Sequence, residues 1–513
     1  MAIELSNITF TEQDDIVPES GVEEILNTGI ANTLAGNDSI AGTSQYYGFQ
    51  NVGVLNTDDG NDTIRGTGNM YVQNPSSGIV NSGTLNAGEG NDLISGGSRI
   101  DGIANSGTLN AGEGDDTIIA GGYYSGLNNS GTLSTDEGND SIFAGSYANG
   151  LNNYATLDTG EGNDTISVIA GFNPLSNYGT LNTGEGNDVI TSDGLSFGRG
   201  IYSGEDSIFD TGDGNDIIST DSSIDNRSNT FTTGDGNDTI EAESGNPNYA
   251  AIENKGFINT GKGEDYIIIT RGSLINYGGV FLGDGNDIVV AGIGTSDIDN
   301  IGTINAGNGN DSITFHGKFF NRGNVFLGEG NDSISGNTDL PNRALENFNA
   351  IETGDGNDII TTTGVIYNEG IITTGNGDDS IIVDGSVDGI TGTAYGIYNN
   401  GGSIDTSDGN DSIIANGGFE SAPNSSGSVF LGEGEDYIKG FGSGDFYGGN
   451  GNDILELPPG TYHFVNWFGA GKELKKGNIS MGVGRFEQLM AGSTTYNFSS
   501  LTQGQIIIRP LAK

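Results

Sequence analysis

The sequence predicts an all-β protein: a right-handed parallel β-solenoid, of β-roll or β-helix type, with a cap at each end. Three observations carry that prediction. A short acidic motif, G-[E/D]-G-N-D-x-I, recurs in register through most of the 513 residues. Apolar residues keep two fixed offsets from its Asp. Gly, at 91 residues, is too frequent for stable helices, and no 3.6-residue apolar stripe competes.

The motif Asp falls at 38, 62, 92, 116, 140, 164, 188, 216, 238, 265, 287, 311, 332, 358, 379, 411, 436 and 453. Neighbouring copies stand 24 residues apart through much of the chain, with extremes of 17 and 32. A looser copy, Gly-Glu-Asp, puts Asp206 between two of these. Self-similarity at a period of about 20–50 residues marks a solenoid, in which each unit needs its neighbours to bury its apolar face.

The core positions come next. Seven residues before the Asp stand Leu55, Leu85, Leu109, Leu133, Leu157, Leu181, Phe231, Ile258, Ile304, Ile351 and Ile372. Two residues after it Ile recurs, as in Ile64, Ile94, Ile118, Ile142, Ile166, Ile190, Ile218 and Ile240, with Val289 and Leu455 as variants. β-Branched residues suit strands, and stacked coils turn such positions into ladders with rungs ~4.8 Å apart.

Eleven residues before the Asp there is usually an Asn: Asn81, Asn105, Asn129, Asn276, Asn321 and Asn400. The offset survives changes of unit length, so insertions fall after the motif strand and before the next Asn. The stretch from Asn to Asp therefore reads as a rigid half-coil and the remainder as a loop-bearing half. Pro75, Pro174, Pro247, Pro341 and Pro423 fall in the second half, in keeping with the exclusion of proline from central strands. The Asn suits a turn in the left-handed region whose stacked amides hydrogen-bond along the ladder, a structural role and not a catalytic one.

Composition narrows the partners. Asp+Glu total 69 against 17 Lys+Arg, a formal charge of −52, which repels nucleic acid and acidic lipid. No run of apolar residues is long enough for a membrane span. The opening MAIELSNITFTEQDD has neither the basic nor the apolar region of a Sec signal peptide. There is no Cys, hence no disulfide, thiolate metal site or Cys nucleophile.

In the motif itself, glycines let carbonyls turn inward without Cβ clashes. Stacking puts successive Asp carboxylates on one edge, with Glu89, Glu113, Glu137, Glu161 and Glu185 stacked nearby. Like charges inside the ~8 Å Debye length repel one another, and a hard divalent cation between neighbouring turns removes that repulsion. Carboxylate and carbonyl oxygens are the donors Ca²⁺ prefers; Mg²⁺ demands tighter octahedral geometry and keeps its waters.

GEGNDLI at 88–94 and GDGNDII at 212–218 resemble the RTX (repeats-in-toxin, hemolysin-type) calcium-binding nonapeptide, G-G-x-G-x-D-x-U-x, and GGNGNDILE at 448–456 matches all nine positions. The resemblance covers residues 27–456. In that family Ca²⁺ sits in the turns, bound by the Asp and by carbonyls of Gly-rich residues from two stacked coils. Carried over residue by residue, it implies multiple Ca²⁺ ions. Their ligands in the first half would be Asp92 with Gly88 and Gly90, Asp116 with Gly112 and Gly114, Asp164 with Gly160 and Gly162, Asp188 with Gly184 and Gly186, Asp216 with Gly212 and Gly214, and Asp238 with Gly234 and Gly236. Further along they would be Asp287 with Gly283 and Gly285, Asp332 with Gly328 and Gly330, Asp358 with Gly354 and Gly356, and Asp453 with Gly449 and Gly451. Asp62, Asp140, Asp265, Asp311, Asp379, Asp411 and Asp436 complete the set. The chain departs from the family where the first Gly is Ala87, Ala111, Thr159 or Thr183, and in carrying one motif per 24-residue unit. Ions are therefore expected along one edge of a wider coil. Lys262 in GKGEDYI and Asn308 in GNGNDSI weaken the local charge stack.

Residues 1–26 lack the repeat and read as an N-terminal cap. Residues 457–513 hold six of the 17 basic residues, the only Trp (Trp467), and Pro458 and Pro459, and read as a β-rich C-terminal cap. Within it, GRFEQLMAGSTTYNFSSL is similar to tails that follow Ca²⁺ repeats in secreted bacterial proteins. The resemblance implies an extracellular or cell-surface location, reached by type I secretion on a C-terminal signal.

An enzymatic reading finds little support. His316 and His463 are the only His; there is no H-E-x-x-H, no nucleophile elbow and no EF-hand loop. GAGK at 469–472 fails as a P-loop because Asn466 and Glu473 stand at its flanking positions. The alternative is a polysaccharide lyase or hydrolase built on a parallel β-helix, for which Arg199, Arg227, Arg271, Arg322 and Arg343 are scattered. Ice binding, a property of some RTX-like solenoids with outward Thr and Asn, is disfavoured by Glu89 and Asp213 at the corresponding place. The expectation is a non-enzymatic, calcium-binding extracellular structural or adhesive protein whose solenoid folds on Ca²⁺ binding. Its partners would be calcium ions and cell-surface polysaccharide or other surface proteins. Tyr46, Tyr47, Tyr123, Tyr124 and Tyr147 in the variable loops either face a partner or shield the coil.

Overall fold

The computed structural model describes residues 2–18, 23–69, 76–194, 199–245, 250–292, 296–337, 343–387, 394–422, 426–466 and 472–509. Pro75, Pro247, Pro341, Pro423 and Trp467 lie outside them, as does part of the 469–472 segment. The chain divides into two compact units, Met1–Ile267 and Ile268–Lys513.

One coil of the first unit shows how the sequence is used. It has three strands, Asp101–Asn105, Thr108–Glu113 and Thr117–Gly122. Each pairs in parallel with its equivalents in the coils before and after. Asp101–Asn105 lies between Ser77–Asn81 and Ser125–Asn129. Thr108–Glu113 lies between Thr84–Glu89 and Thr132–Ser134. Thr117–Gly122 lies between Leu93–Ser98 and Ser141–Ser146. The coils thus build three parallel sheets, here the first, second and third faces. The second unit repeats the plan: Ile298–Asn300, Thr303–Asn308 and Ser312–Phe315 pair in parallel with Phe319–Asn321, Asn324–Glu329 and Ser333–Gly336.

The period-2 alternation of strand side chains sends the two predicted apolar sets inward. Leu85, Leu109 and Leu133 stack on the second face and Ile94, Ile118 and Ile142 on the third, all buried. The first face supplies a third stripe, Ile79, Ile103, Leu127, Leu151 and Leu175. It lies in the half assigned to loops, so that half carries a strand as well as the insertions. On this face alternation is broken, as in the buried run of three in Ser125–Asn129, and the register skips Gly126 between Ser125 and Leu127. Pro174 sits at the same skip, inside the strand Asn173–Asn177, whose partners run Asn149↔Asn173 and Leu151↔Leu175. Proline is accepted within a strand there because its position carries no ladder pairing.

The recurring Asn ends the first-face strand and points inward. The Nδ2 of each donates to the Oδ1 of the next: Asn81 to Asn105, Asn105 to Asn129, Asn129 to Asn153 and Asn153 to Asn177, each at 2.9 Å. The second amide hydrogen goes to a main-chain carbonyl, as from Asn105 to Thr132 O at 2.8 Å. In the second unit the ladder runs Asn276, Asn300, Asn321, Asn347, Asn368, Asn399. Asn399, not Asn400, takes the last place; Asn400 Nδ2 bonds to the Glu369 carboxylate at 2.6 Å instead. The Asn is not a left-handed turn residue either. Among the described residues the non-Gly positions with positive φ are Leu34, Asp58, Asp136, Ser407 and Arg485. Its work is done by the amide, from extended backbone.

Parallel pairing continues into both ends. Ile3–Glu4 and Ile16–Val17 pair with Ile25–Asn27 and Ser39–Thr43. At the other end Gln488–Ala491 pairs in parallel with Ile454–Glu456, while Gly460–Asn466 pairs antiparallel with Lys472–Lys476 and Ile506–Arg509.

Replacing Asn129 with Leu removes the acceptor of Asn105 and the donor to Asn153 at once. A buried amide left without its partner costs ~1–3 kcal/mol, so the Asn129→Leu variant is expected to melt at lower temperature than the parent. An unchanged melting curve by circular dichroism would show that the ladder is not stabilising.

Candidate metal centre

Every coil turns from the second face to the third through the acidic motif. In Gly112-Glu113-Gly114-Asp115-Asp116 both glycines have positive φ, +111° and +128°. A Cβ on Gly114 would lie 2.1 Å from the Gly90 carbonyl oxygen of the coil before, so the stacking distance itself demands glycine. The same conformation holds at Gly88 and Gly90, Gly160 and Gly162, Gly184 and Gly186, Gly212 and Gly214, Gly234 and Gly236, Gly328 and Gly330, Gly354 and Gly356, Gly449 and Gly451, and at Gly283. Where the first of the two glycines is replaced, Asp58, Asp136 and Ser407 are held at φ of about +60°, between 61° and 62°. One residue earlier, the departures from the nonapeptide also have a cause. Ala87, Ala111, Thr159 and Thr183 are buried, and the threonine hydroxyls bond to the next coil, Thr159 to Thr183 O and Thr183 to Thr211 O at 3.1 Å.

The turn sends its Asp inward. The motif carboxylates do not stand on an outer edge: from Asp38 to Asp453 they are between 0% and 2% exposed. The inward Asp follows two positive-φ positions separated by one residue, the second of them Gly, as at Gly112 and Gly114 before Asp116 and at Asp136 and Gly138 before Asp140. The surface carboxylates are those of Glu89, Glu113, Glu137, Glu161 and Glu185.

Within each unit the buried Asp is held by two bonds to its neighbours. Its Oδ1 accepts the main-chain N–H of the motif Asp in the preceding coil. Asp92 donates to Asp116, Asp116 to Asp140, Asp140 to Asp164 and Asp164 to Asp188, each at 2.7 Å, and Asp238 donates to Asp265 at 2.8 Å. In the second unit Asp287 donates to Asp311 at 2.8 Å and the sequence continues to Asp436 and Asp453 at 3.1 Å. The Asp carbonyl accepts from the residue after the next Asp, as from Thr117 N–H to Asp92 O at 2.8 Å.

Oδ2 is different. In Asp62, Asp92, Asp116, Asp140, Asp164, Asp188, Asp216 and Asp238, and again in Asp311, Asp332, Asp358, Asp379, Asp411, Asp436 and Asp453, that oxygen is buried and has no hydrogen-bond partner. Among the described residues no main-chain N–H donates to the carbonyls of Gly90, Gly114, Gly138 or Gly162 in the same turns. Burial pushes these carboxyls up, to about 7 at Asp92, Asp140, Asp188, Asp216 and Asp238 and about 8 at Asp116. The neighbouring carboxylates add to the rise at Asp116, while the N–H of Asp92 opposes it. Asp311, Asp379, Asp411 and Asp436 are likewise raised to about 7, with burial as the largest cause.

The residue before the motif Asp, usually Asn and otherwise Asp115, Glu264, Asp378 or Glu435, was given no role by the sequence reading; it forms a second, exposed ladder. Asn163 N–H donates to Asn139 Oδ1 and Asn187 N–H to Asn163 Oδ1, both at 2.9 Å. Its recurrence next to the Asp was the available signal. Lys262 and Asn308 reach back to the acidic residue one coil earlier, Lys262 Nζ to Asp235 Oδ2 at 2.5 Å and Asn308 Nδ2 to Asp284 Oδ1 at 2.6 Å. Asp206 is not a motif residue: it is exposed, in a turn between Ser203, which takes the ladder place of Asn177, and Ile208–Asp210.

Among the described residues no three His, Cys, Asp or Glu side chains converge on one point. A cation in these turns would be held by carboxylate oxygen and main-chain carbonyls together. The donors fit a hard cation: an unpartnered buried carboxylate oxygen and free glycine carbonyls, all oxygen.

Three cations of the first unit, Arg199, Arg227 and Lys255, converge on one carboxylate. Arg199 Nη2 and Arg227 Nε meet the carboxylate of Asp225 at 3.0 and 3.2 Å, and Lys255 Nζ is 4.0 Å from it and 2.8 Å from Glu253. Both guanidinium groups lie over Tyr202. In the second unit Arg322 pairs with Asp299, and Arg343 with Glu346 while lying 3.7 Å over the Tyr367 ring.

No protein-family model and no curated protein matches the chain. Among solved structures it is similar to a hyperactive, Ca²⁺-dependent, β-helical antifreeze protein from an Antarctic bacterium, at 19% identity over 79% of this chain and 84% of that one, with a TM-score of 0.27. The fold rests on the strand pairing of the chain itself.

The raised carboxyls give a pH dependence with a definite sign. Folded values of about 6 to 8 exceed the unfolded value of 3.8, so the folded state binds more protons between them. Stability is then greatest below the unfolded value and is lost as pH rises through the folded one. In EGTA the β signal in circular dichroism is expected to grow on acidification from pH 8 to pH 5. A signal that is flat or that falls over this window contradicts the burial described here.

Proposed function

We propose that the chain is a calcium-binding repeat protein of RTX type whose acidic turns take Ca²⁺ and whose solenoid forms as they do so. The observation that carries this reading is the unpartnered Oδ2, repeated turn after turn in turns such as those of Gly90, Gly114, Gly138 and Gly162, whose carbonyls accept no main-chain N–H among the described residues. An ionised carboxylate buried without compensation costs roughly several kcal/mol. Set against a net stability of about 5–15 kcal/mol, one such charge per coil cannot be tolerated. Either a proton or a cation must neutralise each turn, and at neutral pH an oxygen-seeking divalent ion does so with the better ligand match.

The same reasoning supports an extracellular role. At the low free Ca²⁺ of a cell interior the acidic array stays unfolded and threads outward. In millimolar Ca²⁺ outside, binding free energy becomes folding free energy. Among the described residues no helix is long and apolar enough to cross a membrane. An adhesive surface is supported by exposed aromatic columns: Tyr123 and Tyr147 stack at 5.0 Å, and Tyr154 and Tyr178 at 5.1 Å, with Tyr147 and Tyr154 more than half exposed. Such columns suit cell-surface polysaccharide or another surface protein. The reading is non-enzymatic; depolymerisation of acidic polysaccharides by the purified chain would replace it with the lyase or hydrolase alternative.

The deciding experiment is far-UV circular dichroism in EGTA at pH 8, followed by Ca²⁺ titration with Mg²⁺ as control. A coil-to-β transition driven by Ca²⁺ and not by Mg²⁺ is expected. A complete β spectrum in EGTA, unmoved by Ca²⁺, would sink the proposal. Asp164→Asn keeps an acceptor for Asp140 N–H but removes one ligand charge. Its solenoid is expected to need more Ca²⁺ and, in saturating Ca²⁺, to be less stable by ~1–3 kcal/mol.

A further inference from the structure

The stack closes differently at its two ends, and neither end was legible as a repeat. At the first, Thr11-Glu12-Gln13-Asp14-Asp15-Ile16-Val17 lies in the register of G-x-G-N-D-x-I. Asp15 N–H donates to Asp38 Oδ1 at 2.8 Å, Asn37 N–H donates to Asp14 Oδ1 at 2.9 Å, and Val17 pairs with Ile40. The carboxylate of Asp15, however, turns back on its own loop, where Oδ2 accepts the N–H of Thr11 at 2.7 Å. No oxygen there is left waiting.

At the other end Gly484-Arg485-Phe486-Glu487-Gln488-Leu489 stacks on the coil of Asp453. Gln488 pairs with Ile454 and Leu489 with Leu455, and Leu489 is buried where other coils place Ile. Arg485 adopts φ +58° in the place of the second motif glycine, and its side chain is exposed. Gln488 Nε2 donates to Asn452 Oδ1 at 2.8 Å, extending the exposed amide ladder by one rung. Glu487 stands where the Asp should be: Asp453 N–H donates to Glu487 Oε2 at 3.0 Å, the bond that Asp436 gives to Asp453 and Asp411 gives to Asp436. Asp453 itself is fully buried, its Oδ1 accepts from Asp436 N–H at 3.1 Å, and its Oδ2 has no partner. Glu487 is thus a carboxylate one methylene longer, placed against the turn of Asp453 by a segment with neither the Gly nor the Asp of the motif.

We propose that Glu487 is a ligand of the last cation of the array, taking the part that the next coil's Asp takes elsewhere, so that a hard divalent ion fastens the C-terminal segment to the solenoid. This rests on the calcium reading. The N-terminal end has no counterpart, because the Asp15 carboxylate is satisfied by its own loop.

Hydrogen-exchange mass spectrometry of the full chain over a Ca²⁺ series tests it, with peptides covering 160–164 and 485–491 read together. In the parent both become protected as Ca²⁺ rises. Glu487→Gln retains an acceptor for Asp453 N–H but not the charge. It is expected to raise the Ca²⁺ midpoint of 485–491 at least tenfold and leave 160–164 unmoved, whereas Glu487→Asp, which keeps the charge, shifts it less. A parent-like midpoint for 485–491 in Glu487→Gln, or equal behaviour of the two variants, overturns the inference. If 485–491 in the parent ignores Ca²⁺ while 160–164 responds, the inference alone fails. If neither segment responds, the calcium reading fails with it.

Discussion

Everything in the coil depends on one bond, from the main-chain N–H of a buried Asp to the carboxylate of the Asp one coil further on. It fixes the stacking distance, because donor and acceptor belong to successive turns and meet at 2.7 Å in much of the first unit. It also fixes the orientation of the carboxylate and so decides what the second oxygen meets. That oxygen is walled in by its own turn and by the turns on either side, and the geometry that satisfies Oδ1 is the one that strands Oδ2. The need for a counter-charge follows from the hydrogen bond and is not a separate design feature. Glycine is forced by the same bond: at this spacing a Cβ on Gly114 would stand 2.1 Å from a carbonyl oxygen.

The remaining inward ladders satisfy most of their own polar groups, and the buried side-chain atoms left over elsewhere, such as Asn110 Oδ1 and Ser146 Oγ, are isolated and do not recur coil after coil as Asp Oδ2 does. Asn side chains at the end of the first face donate to one another and to main-chain carbonyls, and threonine hydroxyls before the turn give their proton to the next coil. Ile and Leu fill what is left. Buried polar groups that are fully connected rigidify a core, whereas a partly satisfied one is costly. On that measure the Asp turn stands apart as the place built to be completed from outside.

Much of this was readable because a solenoid writes its core as a fixed offset. Leu109 and Ile118 could be assigned from spacing alone, and with them two of the three faces. The first face was hidden because Gly102 and Gly126 interrupt its alternation at the register skip, leaving no period for the eye. The inward turn of the carboxylate was not legible, since it depends on two backbone torsions that Gly makes available but does not dictate. Nor was the convergence of Arg199, Arg227 and Lys255 on Asp225, which are separated along the chain and brought together only by coil length. Asp15 and Glu487 escaped notice for a different reason: terminal coils need the register of the motif but not its composition.

That last point follows from the direction of the two ladders in the turn. The buried ladder runs forward, each coil's N–H reaching the carboxylate of the next, as Asp140 reaches Asp164. The exposed ladder runs backward, each coil's N–H reaching the amide oxygen of the one before, as Asn163 reaches Asn139. A coil in the middle is therefore tied to both neighbours by both ladders. A coil at an end lacks one partner of each kind: the first has no predecessor's N–H to receive on its carboxylate, and the last has no successor's carboxylate to bond. The first end needs only to give its carboxylate another donor, which the N–H of Thr11 supplies. The last end must find a carboxylate, and a segment with no motif glycine supplies one from Glu487. The asymmetry of the ends is thus a property of the hydrogen-bond direction, and it places the array's unmatched demand for charge at the C-terminal side.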